Sequence, residues 1–148
     1  GEVAMKIAVV VGAAALVLGG PAAAETWQAF SRSAHNAFMA DADSITSANG
    51  ITSIKVATVP RAGEAGDLSH SVEVYEFRCD ANQWRTAGVV EYGPDGAETG
   101  RYPEEGSPFE PARRDTMPHY LKEIACDGAR PVPPHWPTIQ AFIEAGRP

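Results

Sequence analysis

Two cysteines, Cys79 and Cys126, are the residues of this sequence with the clearest potential for chemistry. They lie 47 positions apart, a spacing unlike the C-x-x-C pattern of redox-active pairs. In an oxidising compartment a lone pair of cysteines typically forms one disulfide. We therefore expect a structural Cys79–Cys126 bridge, with a redox pair as the alternative.

Other side chains of catalytic or ligand type lack the spacing that catalysis or metal binding requires. No histidine lies three or four positions from another, so the sequence contains no helical zinc motif; the histidines are His35, His70, His119 and His135. Asp41 and Asp43 resemble the start of a calcium loop. Thr46 and Thr52, however, stand where an EF-hand needs glycine and a carboxylate, so we predict a turn at 41–44.

The loop after residue 103 holds the remaining catalytic candidates. Glu104 and Glu105 are adjacent carboxylates, which usually point apart on a loop and so do not make a glycosidase pair. Ser107 has no G-x-S-x-G context and no base next to it in sequence. We predict no catalytic residue, no cofactor and no metal. A small hydrolase, its groups assembled only by the fold, is the less favoured alternative.

Three tryptophans are candidates for molecular contact: Trp27, Trp84 and Trp136. Aromatic side chains on a half-exposed sheet make good contact surfaces. They serve equally well in a core, which is the commoner use. The sequence leaves both roles open, and the three residues form our predicted contact surface.

The first 24 residues have the layout of a secretory signal peptide. Lys6 precedes an apolar run at 7–18, and small residues at 22–24 form an A-x-A cleavage site. The run is too short for a stable membrane span, although an uncleaved anchor is the alternative. Glu25 follows the site, so the new N-terminus could not carry a lipoprotein-type acyl group. We expect export to the periplasm or outer surface of a Gram-negative bacterium.

The charge of the chain argues against nucleic-acid partners. Its formal net charge is −7, and Arg113-Arg114 is an isolated basic pair flanked by acids. An acidic protein without a basic stripe repels nucleic acid and anionic lipid surfaces. The partners we expect are a protein ligand or a second copy of the chain.

The elements that must position these residues are mostly strands. Alternation and β-branched residues predict strands at 27–31, 36–40, 51–59, 71–79, 84–92 and 97–102. In the fourth strand Val72 and Val74 are out of phase with Tyr75 and Phe77, which indicates either two covered faces or a bulge.

Two helical segments follow the strands. The first spans 116–125, with Met117, Tyr120, Leu121 and Ile124 as its apolar stripe. Cys126 points away from that stripe, so we expect the helix to end at or just before it. After prolines at 131–134, a short C-terminal helix packs on the domain or on a partner.

These elements predict one α+β domain, residues 25–130: a small antiparallel β-sheet with a C-terminal helix packed on it and one disulfide. Residues 131–148 form a proline-linked C-terminal helical tail. The segment 1–24 contains the signal peptide and the residues upstream of it.

The pattern as a whole resembles the surface-adhesin protein E-like domain found in exported bacterial proteins. The resemblance covers about residues 26–127 and rests on motifs in a fixed order. They are an early Trp27, then Phe38, Asp41 and Ser44-Ile45, a strand from Val72 to Cys79, a Tyr92-x-x-Asp95-Gly96 turn and a late helix ending at Cys126.

The resemblance implies a small antiparallel sheet with one packed helix, joined by a Cys79–Cys126 bridge. In the namesake protein it further implies dimerisation and binding of host extracellular-matrix proteins. We therefore expect an exported, non-enzymatic, adhesin-like binding module. The alternative is a periplasmic structural or stress-related protein without a host ligand.

Overall fold

A computed structural model describes residues 24–148 of the chain. The predicted signal peptide lies almost wholly outside these residues. The described part forms one antiparallel sheet of seven strands in the order β1-β2-β3-β4-β5-β6, with β7 paired to β5 beside β6. The strands are β1 (Trp27–Arg32), β2 (Asn36–Ala48), β3 (Ile51–Pro60), β4 (His70–Arg78), β5 (Gln83–Tyr92), β6 (Glu98–Pro103) and β7 (Glu110–Pro111).

Two α-helices follow the strands, and each covers a different face of the sheet. Helix α1 (Met117–Asp127) packs on what we call the helix face, where it buries Leu121 and Ile124. Helix α2 (Ile139–Glu144) packs on the opposite face, the tail face. The predicted fold class, an α+β antiparallel sheet with a packed helix and one disulfide, is confirmed.

The buried residues of β4 show why its apolar pattern changes phase. Tyr75 and Phe77 belong to the helix-face core, whereas Val72 packs against the tail-face core. The register between β3 and β4 is continuous, so β4 itself is regular. Of the two alternatives that the sequence left open, covered faces account for Val72, Tyr75 and Phe77, whereas Val74 belongs to neither core. The irregularity opposite Glu73–Tyr75 lies in β5.

The prediction of a turn at 41–44 is wrong, because these residues lie inside β2. The register of β2 against β3 jumps between Asp41 and Thr46, so the extra residues form a bulge. The turn-forming side chains make their hydrogen bonds within it. The Asp41 carboxylate accepts the N–H groups of Thr26 and Asp43 at 3.0 Å, and the Ser44 hydroxyl accepts the Lys55 N–H at 2.8 Å.

The prediction that helix α1 ends at or before Cys126 is also wrong. The helix continues to Asp127 and ends at Gly128, which has a left-handed φ of 75° and donates its N–H to the Glu123 carbonyl. Cys79 begins a one-turn 3₁₀ helix (Cys79–Ala81) after β4 and reaches the flank of the helix there. The Cys79–Cys126 disulfide, with Cα atoms 5.8 Å apart, therefore forms without unwinding α1.

The C-terminal tail packs on the sheet of its own chain. Ile139, Phe142 and Ile143 of α2 are buried in the tail-face core. Backbone hydrogen bonds of 2.8 and 2.9 Å join Trp27 and Trp136 in an isolated β-bridge at the β1 edge. The tail thus completes the second core of the described chain.

Candidate functional site

Two stacked aromatic rings form the floor of an apolar groove on the helix face. Tyr75 of β4 and Trp84 of β5 have ring centroids 5.8 Å apart and planes inclined by 23°. The register pairs Tyr75 with Thr86 and Phe77 with Trp84, so both rings project on one side of the sheet. Tyr75 is buried and Trp84 half-buried, which leaves part of the indole open to a partner.

The walls of this aromatic groove come from β7 and from the start of α1. Backbone pairing places Glu110 opposite Trp84. Thr116 is the N-cap of α1, since its hydroxyl accepts the His119 N–H, and Pro118 fits the first turn. The groove encloses about 420 Å³, and its lining consists of Tyr75, Trp84, Glu110, Pro111, Arg113, Thr116, Met117 and Pro118.

Two cation–π contacts hold the wall formed by β7 in place. The guanidinium carbons of Arg78 and Arg85 each lie 4.2 Å from the ring centre of Phe109, one residue before β7. Arg85 also donates to Glu76 at 2.8 Å in a half-buried ion pair and to the Ser107 carbonyl at 3.3 Å. The loop that precedes β7 is therefore anchored to β4 and β5.

The electrostatics of the groove suit contact rather than proton transfer. Burial, with a smaller contribution from the charge of Glu73, raises the pKa of the Tyr75 hydroxyl, so the phenol stays protonated at neutral pH. The charged lining residues, Glu110 and Arg113, are both exposed and opposite in sign. The groove thus offers an uncharged aromatic floor with a polar rim, as contact sites between proteins do.

The predicted tryptophan surface is divided by the structure. Trp84 lines the aromatic groove, whereas Trp27 and Trp136 lie at the tail-face core. Trp27 is 3% exposed, and its indole N–H donates to Glu25 at 2.8 Å, so it has little area to offer a partner. Trp136 packs edge-on against Phe142, with centroids 5.8 Å apart. The contact role stays a prediction, and Trp84 is the tryptophan placed to perform it.

Among the other candidate side chains, the structure brings Glu104 and Ser107 into hydrogen-bond contact on the loop after β6. The Glu104 carboxylate accepts hydrogen bonds from Ser107 and Thr86, which lower its pKa, and Glu105 is exposed beside it. Within residues 24–148 no group of three or more His, Cys, Asp and Glu side chains is placed to hold a metal ion. In the same residues, no helix combines the length and apolar character needed to cross a membrane.

Of the groove residues, sequence reasoning identified Trp84 and missed the others, among them Tyr75, Pro111 and Met117. The periodicity of Tyr75 and Met117 predicts apolar positions in a strand and a helix, and it does not distinguish a core role from a groove role. Pro111 was assigned to a loop. The missing signal is the pairing of β7 with β5, because a strand of two residues leaves no periodicity in a sequence.

The fold and groove define a small antiparallel-sheet domain with a helix packed on each face, a disulfide that ties α1 to the end of β4, and an apolar groove at the N-terminal end of α1. A comparison with known families identifies it further. The sequence model of the Surface-adhesin protein E family matches residues 27–127, and the chain belongs to that family. No curated protein and no solved structure matches the chain significantly. The tail that covers the second face lies outside the matched residues.

Proposed function

We propose that this chain is an exported, non-enzymatic binding module that contacts a protein partner through the aromatic groove. Membership of the Surface-adhesin protein E family supports an adhesin-like role at the cell surface. The Cys79–Cys126 disulfide supports an oxidising location, since such bonds persist outside the cytoplasm. The two arguments are independent, because one rests on the family match and the other on redox chemistry.

The observation that carries the proposal is the half-open indole of Trp84 in an apolar groove. Binding energy in protein contacts concentrates on a few residues, and tryptophan is enriched among them. Such residues are most effective in pockets that lose water on binding, and the floor here is uncharged. The sheet, the disulfide-tied helix and the anchored loop hold the groove in shape before a partner arrives, which lowers the entropy cost of association.

Binding of the purified protein, residues 25–148, to a panel of immobilised extracellular-matrix proteins tests the proposal. We expect saturable binding to at least one of them. Trp84→Ala should weaken that binding by at least about 2 kcal/mol, roughly thirtyfold in Kd, if the indole is a central contact. Val132→Ala is the control, because Val132 is a large apolar residue that is 83% exposed and does not line the groove.

A charge reversal at the rim provides a variant that does not disturb the core. Arg113 is exposed and lines the groove, while its neighbour Arg114 is exposed and does not line it. Arg113→Glu should change the association rate and its salt dependence more than Arg114→Glu does. Equal effects of the two reversals would contradict docking at the groove.

Absence of saturable binding to any matrix protein would discard the adhesin version of the proposal. Binding to a component of envelope extracts, with the same dependence on Trp84, would then place the groove in contacts within the bacterial envelope. Unchanged binding in both the Trp84 variant and the rim variants would show that the groove is not the contact site.

A further inference from the structure

The tail face of the sheet contains a depression that the C-terminal tail leaves uncovered. Helix α2 buries the end of this face that carries Ala57 and Val59. Beyond it, Val74 is half-buried and belongs to neither core, and Lys55 is exposed. The depression encloses about 250 Å³; we call it the Lys55 trough, and its lining consists of Lys55, Val72, Val74, Ala87, Gly88, Val89, Val90, Tyr92, Arg101, Tyr102 and Pro103.

A bulge in β5 forms the low floor of this trough. Between the pairs Glu73↔Val89 and Tyr75↔Thr86, β5 holds one residue more than β4. Ala87 and Gly88 therefore lie opposite Val74, and both are small. Gly88 has φ +135°, and a Cβ there would lie 3.2 Å from the Pro103 Cα and the Tyr102 carbonyl oxygen. Glycine suits this positive φ and the close approach of β6.

The charged residues that line the trough are cations, although carboxylates lie beside it: Glu98 pairs with Arg101, and Asp43, which accepts the Thr26 hydroxyl, shares the adjoining depression with Lys55. Lys55 and Arg101 line it and no carboxylate does, although the whole chain carries a net charge of −7. Arg101 is engaged by Glu98 at 2.7 Å in an exposed pair. Lys55 forms no ion pair with any residue in the range 24–148.

Asp41 faces Lys55 across the β2–β3 pair, but its carboxylate is committed to backbone groups. It is 4% exposed and accepts the N–H groups of Thr26 and Asp43. The ammonium group of Lys55 is thus the available cation at one end of the apolar floor formed by Val72, Val74 and Val90.

We propose that the Lys55 trough binds a small amphipathic carboxylate, a single alkyl chain with one anionic head. The head group pairs with the Lys55 ammonium. The chain lies over Val74 and the Ala87–Gly88 bulge toward Pro103, which is three inter-strand steps, or about 14 Å, from Lys55. The volume is below the usual range for drug-sized ligands, which favours a short chain over a larger molecule.

Titration with octanoate, below its micelle concentration and monitored by NMR amide shifts, tests the proposal. Shifts should concentrate at Val74, Ala87 and Gly88 and saturate. Octanol, which keeps the chain without the charge, should bind at least about tenfold more weakly, because a charge-assisted contact is lost. Acetate, which keeps the charge without the chain, should give no saturable shifts.

Two variants separate the contributions of charge and shape. Lys55→Gln should reduce octanoate affinity to that of octanol, while Lys122→Gln on α1, a lysine outside the trough, should leave it unchanged. Ala87→Leu should abolish binding of both ligands by filling the floor. Equal affinity for octanoate and octanol, shifts centred outside the trough, or full binding by Lys55→Gln would each overturn the proposal. This test is independent of the aromatic groove, which lies on the opposite face.

Discussion

Removal of the disulfide should lower the stability of the fold by an amount that follows from its position. The Cys79–Cys126 bond closes a loop across 47 positions of the chain. The chain-entropy relation gives about 4 kcal/mol for a loop of this length, which the unfolded state regains when the bond is absent. Helix α1 should remain docked in the double variant Cys79→Ser/Cys126→Ser, because Leu121 and Ile124 stay buried against the sheet. For a domain of this size the loss corresponds to roughly 15 °C in Tm.

Urea unfolding at neutral pH, monitored by tryptophan fluorescence and far-UV circular dichroism, measures this difference. The double variant should unfold at lower urea concentration, and a reductant should shift the wild type to the same midpoint. The reductant should leave the double variant unchanged, which controls for effects unrelated to the bond. The wild-type protein must have its disulfide formed at the start of the measurement. A difference in unfolding free energy below about 1 kcal/mol between it and the double variant would then refute the chain-entropy reasoning.

Three further changes probe the tail, the β5 bulge and a half-buried histidine. Phe142→Ala should cost about 3–5 kcal/mol in urea unfolding, because the ring is fully buried; a cost no larger than that of Val132→Ala would place the tail off the sheet. Gly88→Ala should lower Tm, since φ +135° strains any residue with a side chain and a Cβ would crowd the β6 backbone at 3.2 Å; an unchanged Tm would contradict that geometry. Burial lowers the pKa of His70 below its ordinary value of 6.5. As the pH falls, His70 is protonated in the unfolded chain before it is protonated in the folded protein. The contribution of neutral His70 to folding stability is therefore full above about pH 6.5 and declines as the pH falls toward the folded pKa. This dependence should disappear in His70→Gln and persist in His135→Gln; equal pH profiles of the two variants would be inconsistent with it.

Much of the sheet could be predicted because its strands carry strong local signals. Residues 51–59 alternate β-branched side chains up to a proline, and the observed strand β3 (Ile51–Pro60) has the same extent within one residue. The pairing of Cys79 with Cys126 followed from the number of cysteines and the expected compartment, and needed no three-dimensional information.

The predictions failed at residues whose structural role depends on partners that are distant in the sequence. Asp41 and Ser44 are typical turn residues, yet their hydrogen bonds are satisfied by a bulge inside β2. The end of α1 was predicted too early because helical periodicity gives the direction of Cys126 and not the position of Cys79, which lies in a 3₁₀ turn after β4. Tyr120, assigned to the apolar stripe, is 42% exposed and packs edge-on with His119.

The aromatic groove depends on the same kind of long-range information. It joins a tyrosine and a tryptophan of a hairpin to residues about 30 positions later, through the brief pairing of β7 with β5. The Lys55 trough likewise requires the bulge in β5, which is visible in the register and absent from the sequence pattern. The residues of both sites are present in the sequence, but the strand pairings that bring them together cannot be predicted from it.

The proposal that the groove holds a protein partner is tested most directly by amide hydrogen exchange with a matrix protein that binds. Exchange is measured for the free protein and for the saturated complex. We expect slower exchange in the complex at 84–85 and 110–118, with the tail residues 139–144 unchanged. Protection confined to the tail face, with the residues around Trp84 exchanging as in the free protein, would contradict the account.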